Sequence, residues 1–400
     1  MHMWNNVILL AVLTCAVAAS LHVEWRGHRR AVREIPIRIH VNGTRGKSSV
    51  ARLVAATLRA HGVRTVAKTT GTAPRWILPD GTEEPLVRNG PPNIGELTRA
   101  MSRARRLGAE AIVFECMAVH PYLQRVAEER IVQPTITVIT NARLDHTDVQ
   151  GTTREEIAAN FAVMPGGTLI TADPLVWQVL GPRVLADDGA VHLASVGPDG
   201  AGEPSLDMPY LEHPDNVAVA LEVSDLLGVD RAVALSAMAQ CAPDPGRASV
   251  VQLQHDAGPW RLVNLFAAND PDSTFEALDT VRGRLPDDQP GGRPILLFAA
   301  RSDRGARSAD FASALADHRE EFARMVIWGD GTRALARMAR ARGVPEELIV
   351  DAGAMDPEPL TRLLMDSLDG QRVVVGVGNI VGRTQDWLEH LAPRIERTLA

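Results

Sequence analysis

An apolar, β-branched run at 35–41 leads directly into a loop of eight residues, and a helical pattern over 48–61 follows. The loop consists of Asn42, Gly43, Thr44, Arg45, Gly46, Lys47, Ser48 and Ser49. Glycines let backbone amides close on an oxyanion, and the start of a helix adds the positive end of its dipole. A strand, a glycine loop and a helix in this order predict an α/β domain that binds phosphate. The alternative, a plain glycine turn before an amphipathic helix, leaves the lysine unexplained.

Lysine is rare in this chain and therefore informative where it occurs. Of 42 basic residues only Lys47 and Lys68 are lysine, and the others are arginine. A compact ammonium and a planar guanidinium do not substitute for each other at a phosphate. We therefore expect Lys47 to reach the terminal phosphates of a nucleotide, with the Ser48 hydroxyl available to Mg²⁺. The match to G-x-x-x-x-G-K-[ST] is imperfect, because Val41 stands at the position of the first glycine.

Composition excludes several classes of protein. The 400 residues carry a formal charge of −7, which argues against nucleic-acid binding through a basic face. Cys15, Cys116 and Cys241 are odd in number and far apart, so neither a disulfide framework nor a cysteine zinc site is expected. A hydrophobic share of 45% with 23% charged residues is typical of a globular chain, and the length suits two α/β domains.

Residues 1–34 are expected to form a membrane anchor and a basic juxtamembrane segment. Residues 7–23 are uncharged and mostly apolar, and arginines cluster only after them. This asymmetry predicts a single-pass transmembrane helix in the cell membrane, with the N-terminus outside and the rest of the chain cytoplasmic. A cleaved signal peptide is the alternative, with a possible cleavage site at 16–18, but its basic amino-terminal region is missing.

Beyond the anchor, apolar runs alternate with helical patterns, which predicts two α/β domains. The first, a phosphate-loop domain, is expected over 35–245, and a smaller Rossmann-like domain over 246–400. A passage at 181–204 lacks periodicity and is expected to form a loop, before a helix at 215–228. Buried strands are expected at 35–41, 63–67, 111–114, 135–140, 168–171, 261–266, 295–299, 324–328 and 372–377.

Acidic and histidine side chains follow two of these strands at their carboxyl ends, where open α/β sheets place ligand chemistry. Glu115 stands where a phosphate-loop enzyme has an acidic Mg²⁺ ligand, although it could also be an edge charge. His146 lies between Asp145 and Asp148. A histidine so placed can be a metal ligand or can belong to a solvated turn. Ser48, Glu115 and His146 are therefore the candidate metal ligands.

Several of these segments resemble the Mur ligase superfamily. They are the loop at 42–49, the acidic residue after the next central strand, and T-N-x-x-x-D-H-x-D-x-x-G at 140–151. Asn216 before a helix and Arg247 after Pro-Gly fit the same pattern. The superfamily contains ATP-dependent amide ligases, among them the muramyl-peptide ligases and folylpolyglutamate synthase. The stretch at 264–273 resembles its D-x-x-A-H-N-P segment, with Asn and Ala in place of Asp and His.

Further segments narrow the resemblance to the ATP-using subunit of poly-γ-glutamate synthase, of the capsule-forming CapB type. These segments are 68–72, 90–96, 115–119, 266–270 and 376–380. In that family a single amino-terminal anchor precedes the phosphate loop, as is expected here. The resemblance covers essentially residues 4–385.

The resemblance implies a ligase that elongates poly-γ-glutamate with ATP and Mg²⁺. ATP bound at 42–49 would phosphorylate the terminal carboxylate of the chain, and the amine of an incoming glutamate would attack the acyl phosphate. Lys47 and a Mg²⁺ ion held by Ser48, Glu115 and His146 would neutralise the transferred charge. The implied partner is a small multispanning membrane subunit, because one short helix cannot export a polyanion.

The resemblance also assigns roles to side chains outside the loop. Lys68, on a loop after the strand at 63–67, would contact the γ-phosphate or the acyl phosphate, unless it is a surface lysine. Asn216 and Arg247 would hold the adenine and phosphate end of ATP. The candidate substrate contacts are Thr70, Arg75 and Asn269.

Two other functions remain open at this point. One is a folylpolyglutamate synthase or another Mur-type ligase with a different acceptor. The other is a membrane-attached P-loop ATPase that drives a partner without forming a bond, for which the D-H-x-D segment has no evident role. Mur ligases commonly hold a second Mg²⁺ with a carbamylated lysine after the D-H histidine. No lysine follows Lys68 in this chain, so activity independent of bicarbonate is expected.

Overall fold

The structure is a computed structural model of the chain, and it divides into two compact units. The first unit takes in the described residues before 206 together with Glu212–Ala242, and the second takes in those from Pro243 onward. The residues described are 2–71, 74–88, 90–195, 212–244, 248–256, 258–268, 270–282, 293–303, 305–367, 372–380 and 382–398.

The first unit alternates strands and helices. Its strands are β1 (Ile37–Asn42), β2 (Thr65–Lys68), β3 (Arg75–Ile77), β4 (Glu83–Pro85), β5 (Ala111–Glu115), β6 (Ile136–Ile139), β7 (Thr168–Thr171) and β8 (Ala190–Leu193). Its helices are α1 (His2–Glu34), α2 (Lys47–Ala60), α3 (Gly95–Arg106), α4 (Pro121–Val126), a π-helix (Ala127–Val132), α5 (Arg154–Asn160), α6 (Pro174–Ala186), α7 (Pro214–Leu226) and α8 (Arg231–Ala239).

One eight-stranded sheet organises the first unit, in the order β4-β3-β2-β5-β1-β6-β7-β8. The six strands from β2 to β8 in that order run parallel, and β3 and β4 extend the edge antiparallel. Because the carboxyl ends of parallel strands meet at one edge, the segments that follow β1, β2, β5 and β6 are brought together there. All four candidate ligand segments of the sequence thus converge on this edge.

The central strands are buried because helices cover both faces of the sheet. Ile39, Val113 and Val138 have no exposed surface, as expected for parallel strands that read as continuous apolar runs. Helix α2 packs against the sheet with its apolar residues, among them the fully buried Val50 and Val54. This packing fixes the start of α2, and with it the phosphate loop, against the carboxyl end of β1.

The second unit contains a mixed seven-stranded sheet in the order β13-β12-β11-β14-β10-β9-β15. The strands are β9 (Ser249–Leu253), β10 (Trp260–Asn264), β11 (Ile295–Ala300), β12 (Arg324–Gly329), β13 (Ile349–Gly353), β14 (Val373–Gly378) and β15 (Ile395–Thr398). The helices are α9 (Pro271–Arg282), α10 (Gly305–Asp317), α11 (Thr332–Ala341), α12 (Pro357–Asp366) and α13 (Arg383–Leu391), with 3₁₀ turns at Arg319–Glu321, Glu346–Leu348 and Ala392–Arg394. The first five strands in that order are parallel, whereas β9 pairs antiparallel with both β10 and β15.

The loop predicted at 181–204 is wrong over its first part. Helix α6 continues through Pro182 to Ala186, and β8 then pairs in parallel with β7. Helical spacing places Val176, Leu180 and Val184 on one face, where all three are buried in the core. This burial outweighs the single backbone hydrogen bond that Pro182 removes. Residues 196–204 lie outside the described residues.

Helix α1 is one continuous element of 33 residues. Its residues 10–26 are exposed, whereas Ala31 near its end is buried in a core cluster of the first unit together with Ile35. Within the described part of the chain, no helix combines the length and the apolar character needed to cross a membrane. The structure therefore does not support the transmembrane helix predicted at 7–23.

Candidate active site

The glycine loop connects β1 to α2 at the carboxyl edge of the sheet. Gly46 is the N-cap of α2 with a left-handed φ of 81°, and no side chain caps the helix. A helix start without a capping side chain suits an anionic ligand. At Gly43 a Cβ would lie 2.2 Å from Thr140 Oγ1, so only glycine allows this approach. The loop has the geometry of an anion cradle.

Lys47 folds back over this loop. Its Nζ donates hydrogen bonds of 2.7 Å to the carbonyl of Gly43 and 3.1 Å to that of Thr44. Burial lowers the pKa of Lys47, while the negative charge of Glu115 opposes the shift. A desolvated ammonium held by neutral carbonyls gains electrostatic stabilisation when an anion arrives. Lys47 is therefore arranged to bind phosphate oxygens.

The segment after β6 holds the loop in shape. Asn141 Oδ1 accepts hydrogen bonds from Thr44 Oγ1 at 2.7 Å and from the amide of Arg45 at 3.2 Å. Thr140 Oγ1 donates to the carbonyl of Arg45 at 2.5 Å, and Arg45 Nη1 lies 3.3 Å from Asp145 Oδ2. Residues 140–145, at the start of the segment predicted to bind metal, thus hold the phosphate loop in its conformation. This role was not predicted from the sequence.

Two asparagines predicted to bind ATP lie within or beside the loop. Asn42 Oδ1 accepts from the amide of Gly43 at 2.8 Å, and its Nδ2 donates to Gln124 Oε1 at 2.9 Å. Asn216, at the start of α7, lies against Gly46 and donates to Glu212 Oε1 at 2.7 Å. Asn42 is therefore engaged within the loop, whereas Asn216 lies beside the start of α2.

A carboxylate joins three segments at the mouth of the loop. Glu115 Oε2 accepts hydrogen bonds from Ser48 Oγ at 2.9 Å and from the amide of Thr70 at 2.5 Å. Oxygen donors of this kind suit Mg²⁺, which takes one or two carboxylates and completes its shell with phosphates and water. Ser48 and Glu115 therefore fit the predicted ion. Thr70, expected to be a substrate contact, reaches this carboxylate through its backbone.

His146 is not brought into the same cluster. It has a positive φ of 46° and a side chain that is 48% exposed, with Nε2 4.0 Å from Asp145 Oδ1. No group of three His, Cys, Asp or Glu side chains suited to a metal occurs in the described residues. The structure thus joins two of the three candidate ligands, and the metal role of His146 stays a prediction.

Lys68 does not lie on a loop facing the phosphate site. It is the last residue of β2 and has no exposed surface, with Nζ 3.5 Å from Glu96 Oε2. Burial lowers the pKa of Lys68, and the charges of Glu96 and Glu115 oppose the shift. The strand extends further than predicted because Lys68 pairs with Phe114 of β5 and Trp76 of β3. Both the loop position and the surface alternative are therefore wrong.

The remaining predicted contacts are Arg75, Arg247 and Asn269. Arg75 begins β3, and its carbonyl accepts from the amide of Thr69 at 3.0 Å. Its Nε is buried and finds no hydrogen-bond partner within the described part of the chain. Arg247 and Asn269 lie outside the described residues.

A buried ion pair beneath the loop was not predicted from the sequence. His40 of β1 hydrogen-bonds through Nδ1 to Glu128 of the π-helix, and Thr137 Oγ1 donates to the same carboxylate. Burial alone would lower the pKa of His40, but the charges of Cys116 and Glu128 raise it to about 10. The signal of this pair in the sequence was a histidine within the mostly apolar run at 35–41.

The second unit carries a cavity of about 520 Å³ at the carboxyl ends of β12 and β13. Its lining includes Asp330, Gly331, Thr332 and Arg333, where Gly331 is the N-cap of α11. Thr332 is buried, with 6% of its surface exposed. An acidic side chain, a basic side chain and a helix start together suit a small zwitterion.

Comparisons with known proteins match both units. A model of the Poly-gamma-glutamate synthase CapB C-terminal domain matches residues 250–394, and one of the Mur ligase middle domain matches residues 41–164. The PGA synthase CapB of Bacillus subtilis is 33% identical over 389 residues, covering 96% of this chain and 97% of its own. The Capsule biosynthesis protein CapB of Bacillus anthracis is 32% identical over 385 residues, covering 94% of this chain and 81% of its own.

A solved structure confirms the type of fold. It is the bifunctional folylpolyglutamate synthase/dihydrofolate synthase of Yersinia pestis, complexed with AMPPNP and a Mn ion. The two superpose with a TM-score of 0.67 over 92% of each chain, at 17% sequence identity. The predicted α/β architecture, a Mur-ligase-like domain followed by a second α/β domain, is therefore confirmed.

Proposed function

We propose, since this chain belongs to the CapB family of poly-gamma-glutamate synthases, that it elongates a γ-linked glutamate polymer. The chain is an ATP-dependent amide ligase of the Mur ligase type. The observation that carries the proposal is the meeting of Ser48, Thr70 and Glu115 beside the ammonium of Lys47. That arrangement supports phosphoryl transfer to a carboxylate, which depends on positioning and charge neutralisation.

The proposed reaction has two steps. In the first, a terminal carboxylate oxygen of the polymer attacks the γ-phosphorus of ATP, so that ADP leaves and an acyl phosphate forms. In the second, the amine of an incoming glutamate attacks the carbonyl carbon, the bond from that carbon to the phosphate oxygen breaks, and phosphate leaves. The attacking nitrogen releases its proton to solvent. One ATP is thus consumed for each amide bond.

The residues of the first unit bind and orient the nucleotide in this proposal. The amides at the start of α2 and the ammonium of Lys47 hold the phosphates. Ser48 and Glu115 would hold Mg²⁺, with His146 as a further ligand, and the ion supplies positive charge to the phosphates. Asn216, which lies beside Gly46, is proposed to contact the adenine and phosphate end of ATP. The same role is proposed for Arg247.

The cavity of the second unit is proposed to take the incoming glutamate. The start of α11 and Arg333 would receive its α-carboxylate, and Asp330 its ammonium group. Replacing Arg333 with alanine should raise KM for glutamate about tenfold while leaving the KM for ATP unchanged. The matched control is Arg337→Ala, one turn further along the same helix and outside the cavity lining. An equal effect of the two substitutions would exclude this cavity as the glutamate site.

Attachment to the membrane is proposed through α1. The exposed side chains of Leu10, Val17 and Val23 form an apolar surface that water solvates poorly, and arginines follow it. We place the catalytic units in the cytoplasm, where ATP is available, beside a multispanning membrane subunit that would export the polymer. Cell fractionation of the full chain and of a chain lacking residues 2–24 tests this. Recovery of both chains in the soluble fraction would contradict the attachment.

The function is tested by measuring ADP and amide formation in membranes that contain the chain. Glutamate should stimulate ADP release, and each ADP should accompany one amide bond. With ¹⁸O in the acceptor carboxylate, one labelled oxygen should appear in the released phosphate, as an acyl phosphate requires. ADP release without glutamate and without amides would indicate an ATPase that drives a partner. Preference for a folate acceptor would instead indicate a folylpolyglutamate synthase.

A further inference from the structure

An ionic cluster of Lys68, Arg88 and Glu96 lies next to the site and takes no part in the proposed reaction. Glu96, in the first turn of α3, binds Arg88 through two hydrogen bonds of 2.7 and 3.2 Å. The same carboxylate lies 3.5 Å from the ammonium of Lys68. Lys68 has no exposed surface, and the side chain of Glu96 is only 8% exposed. One carboxylate therefore pairs with a fully buried ammonium and with a guanidinium that is 20% exposed.

This cluster connects segments that converge on Glu115. Lys68 ends β2, and two residues later the amide of Thr70 donates to Glu115 Oε2. Arg88 follows β4, and Glu96 lies in the first turn of α3, so the cluster joins three separate segments, of which the end of β2 is one. Two of them, 68–72 and 90–96, also carry the family resemblance, which assigns no role to Glu96.

Charges of both signs lie close together where the cluster meets the neighbouring site. Lys68 and Arg88 are positive, Glu96 and Glu115 are negative, and the charge of Glu115 acts on the Lys68 ammonium. If the charge of Glu96 is removed, Glu115 becomes the remaining anion that can compensate Lys68. An ammonium drawn toward Glu115 would compete with a divalent cation for that carboxylate.

A purely stabilising role does not account for this arrangement. Burying an ammonium and a carboxylate costs desolvation energy, and well-packed apolar side chains of similar size are often equally stable. We propose that Glu96, together with Arg88, is a positioning group that holds the Lys68 ammonium away from Glu115 and so keeps Glu115 available to the metal. The inference rests on the proposed function for its metal site, and it adds residues that act through Glu115.

Direct metal binding tests the inference. The full-length protein is titrated with Mn²⁺ in the presence of AMPPNP, and free Mn²⁺ is measured by electron paramagnetic resonance. Glu96→Gln should weaken Mn²⁺ binding about tenfold, as is typical when a group that orients a ligand is lost. The matched control is Glu84→Gln, which removes an exposed carboxylate that pairs with Arg103, and it should change the affinity by less than about twofold.

A double variant separates positioning from simple support of the fold. Lys68→Met combined with Glu96→Gln removes the competing ammonium, so Mn²⁺ affinity should return to within about threefold of wild type. If the double variant binds as weakly as Glu96→Gln, or if Glu96→Gln binds like wild type while its Tm falls, the proposal is overturned. Should Glu96→Gln fail to fold, Glu96→Asp, which draws the carboxylate back from Lys68, replaces it. That variant should weaken binding several-fold, and wild-type affinity would overturn the proposal equally.

The outcome is separable from the test of the proposed function. Loss of glutamate-dependent amide formation in the wild-type chain would remove the proposed reaction but leave the Mn²⁺ comparison valid. Conversely, an unchanged Mn²⁺ affinity in folded Glu96→Gln would remove the positioning role while the ligase activity stands.

Discussion

The side chain of Asn216 lies directly against the α-carbon of Gly46, and a Cβ at position 46 would be 2.3 Å from Asn216 Oδ1. The two residues are far apart in the sequence, yet α7 delivers the amide to the first turn of α2. Gly46 therefore meets two separate demands, a φ of 81° and the absence of a side chain. The phosphate loop is closed on this side by a helix from the end of the first unit.

Gly46→Ala should prevent nucleotide binding and destabilise the first unit. The left-handed backbone alone costs about 1–2 kcal/mol for a residue with a Cβ, and displacement of Asn216 adds to this cost. Gly62→Ala is the matched control, because Gly62 follows the same helix with a φ of 89° but has open space around its Cβ position. Isothermal titration with ATP and thermal unfolding compare the two variants. Equal ATP affinities would show that the contact with Asn216 is unimportant.

Lys47→Arg should reduce amide formation at least ~100-fold although the positive charge is kept. The ammonium occupies a position between the carbonyls of Gly43 and Thr44, and a planar guanidinium cannot adopt that geometry. Glutamate-dependent ADP release is the measurement. The control is the reverse exchange, Arg30→Lys, at a side chain on α1 that is 67% exposed. It should leave glutamate-dependent ADP release unchanged. Activity of Lys47→Arg within about threefold of wild type would remove Lys47 from the mechanism.

The His40–Glu128 pair should make stability fall as pH rises. The pKa of His40 is about 10 in the folded chain and about 6.5 when unfolded, so its contribution is complete below pH 6.5 and disappears on the way to pH 10. Urea unfolding between pH 6.5 and 10 measures this decline. The raised pKa of Cys241, about 11 because of burial, acts in the same direction, so the difference from a His40→Gln chain isolates the histidine.

The His40–Glu128 pair should also contribute to the free energy of unfolding at constant pH. Glu128→Gln leaves a buried imidazolium without its carboxylate, which should cost about 3–5 kcal/mol of unfolding free energy. Glu129→Gln, whose carboxylate forms only a 3.9 Å pair with Arg125, is the neighbouring control. A cost below about 1 kcal/mol for Glu128→Gln would mean that His40 is neutral in the folded chain.

Activity should depend steeply on Mg²⁺, should be lost in His146→Ala, and should not respond to bicarbonate. A carbamate needs a free neutral amine, but no lysine follows Lys68, and Lys68 itself is held against Glu96. Ligase assays in CO₂-depleted buffer, before and after bicarbonate is returned, measure the response. His61→Ala, at the exposed end of α2, controls for loss of a histidine. A rate that collapses and then recovers would identify a carbamylated lysine.

Local sequence pattern was sufficient for the elements that carry the phosphate loop. The run at 35–41 and the helix at 48–61 are observed as Ile37–Asn42 and Lys47–Ala60, because each is specified by its own periodicity and its own turn residues. The same holds for the strand at 168–171. The order of these elements and the single lysine of the loop were enough to predict phosphate binding, since both features are contiguous in the chain.

The partners of each side chain were decided only by the tertiary structure. Asn141 reaches Thr44 because β1 and β6 are neighbours in the sheet, and Lys68 meets Glu96 because β2 and α3 belong to the same core cluster. Strand order and helix packing arise from contacts between distant residues, and no local periodicity encodes them. The sequence by itself therefore determined which residues could hold phosphate and metal. Only the fold determined that Glu115 accepts hydrogen bonds from Ser48 and Thr70, that His146 lies apart from them, and that Lys68 is buried. A buried charge needs a compensating group beside it, and the packing of distant segments decides which carboxylate that is.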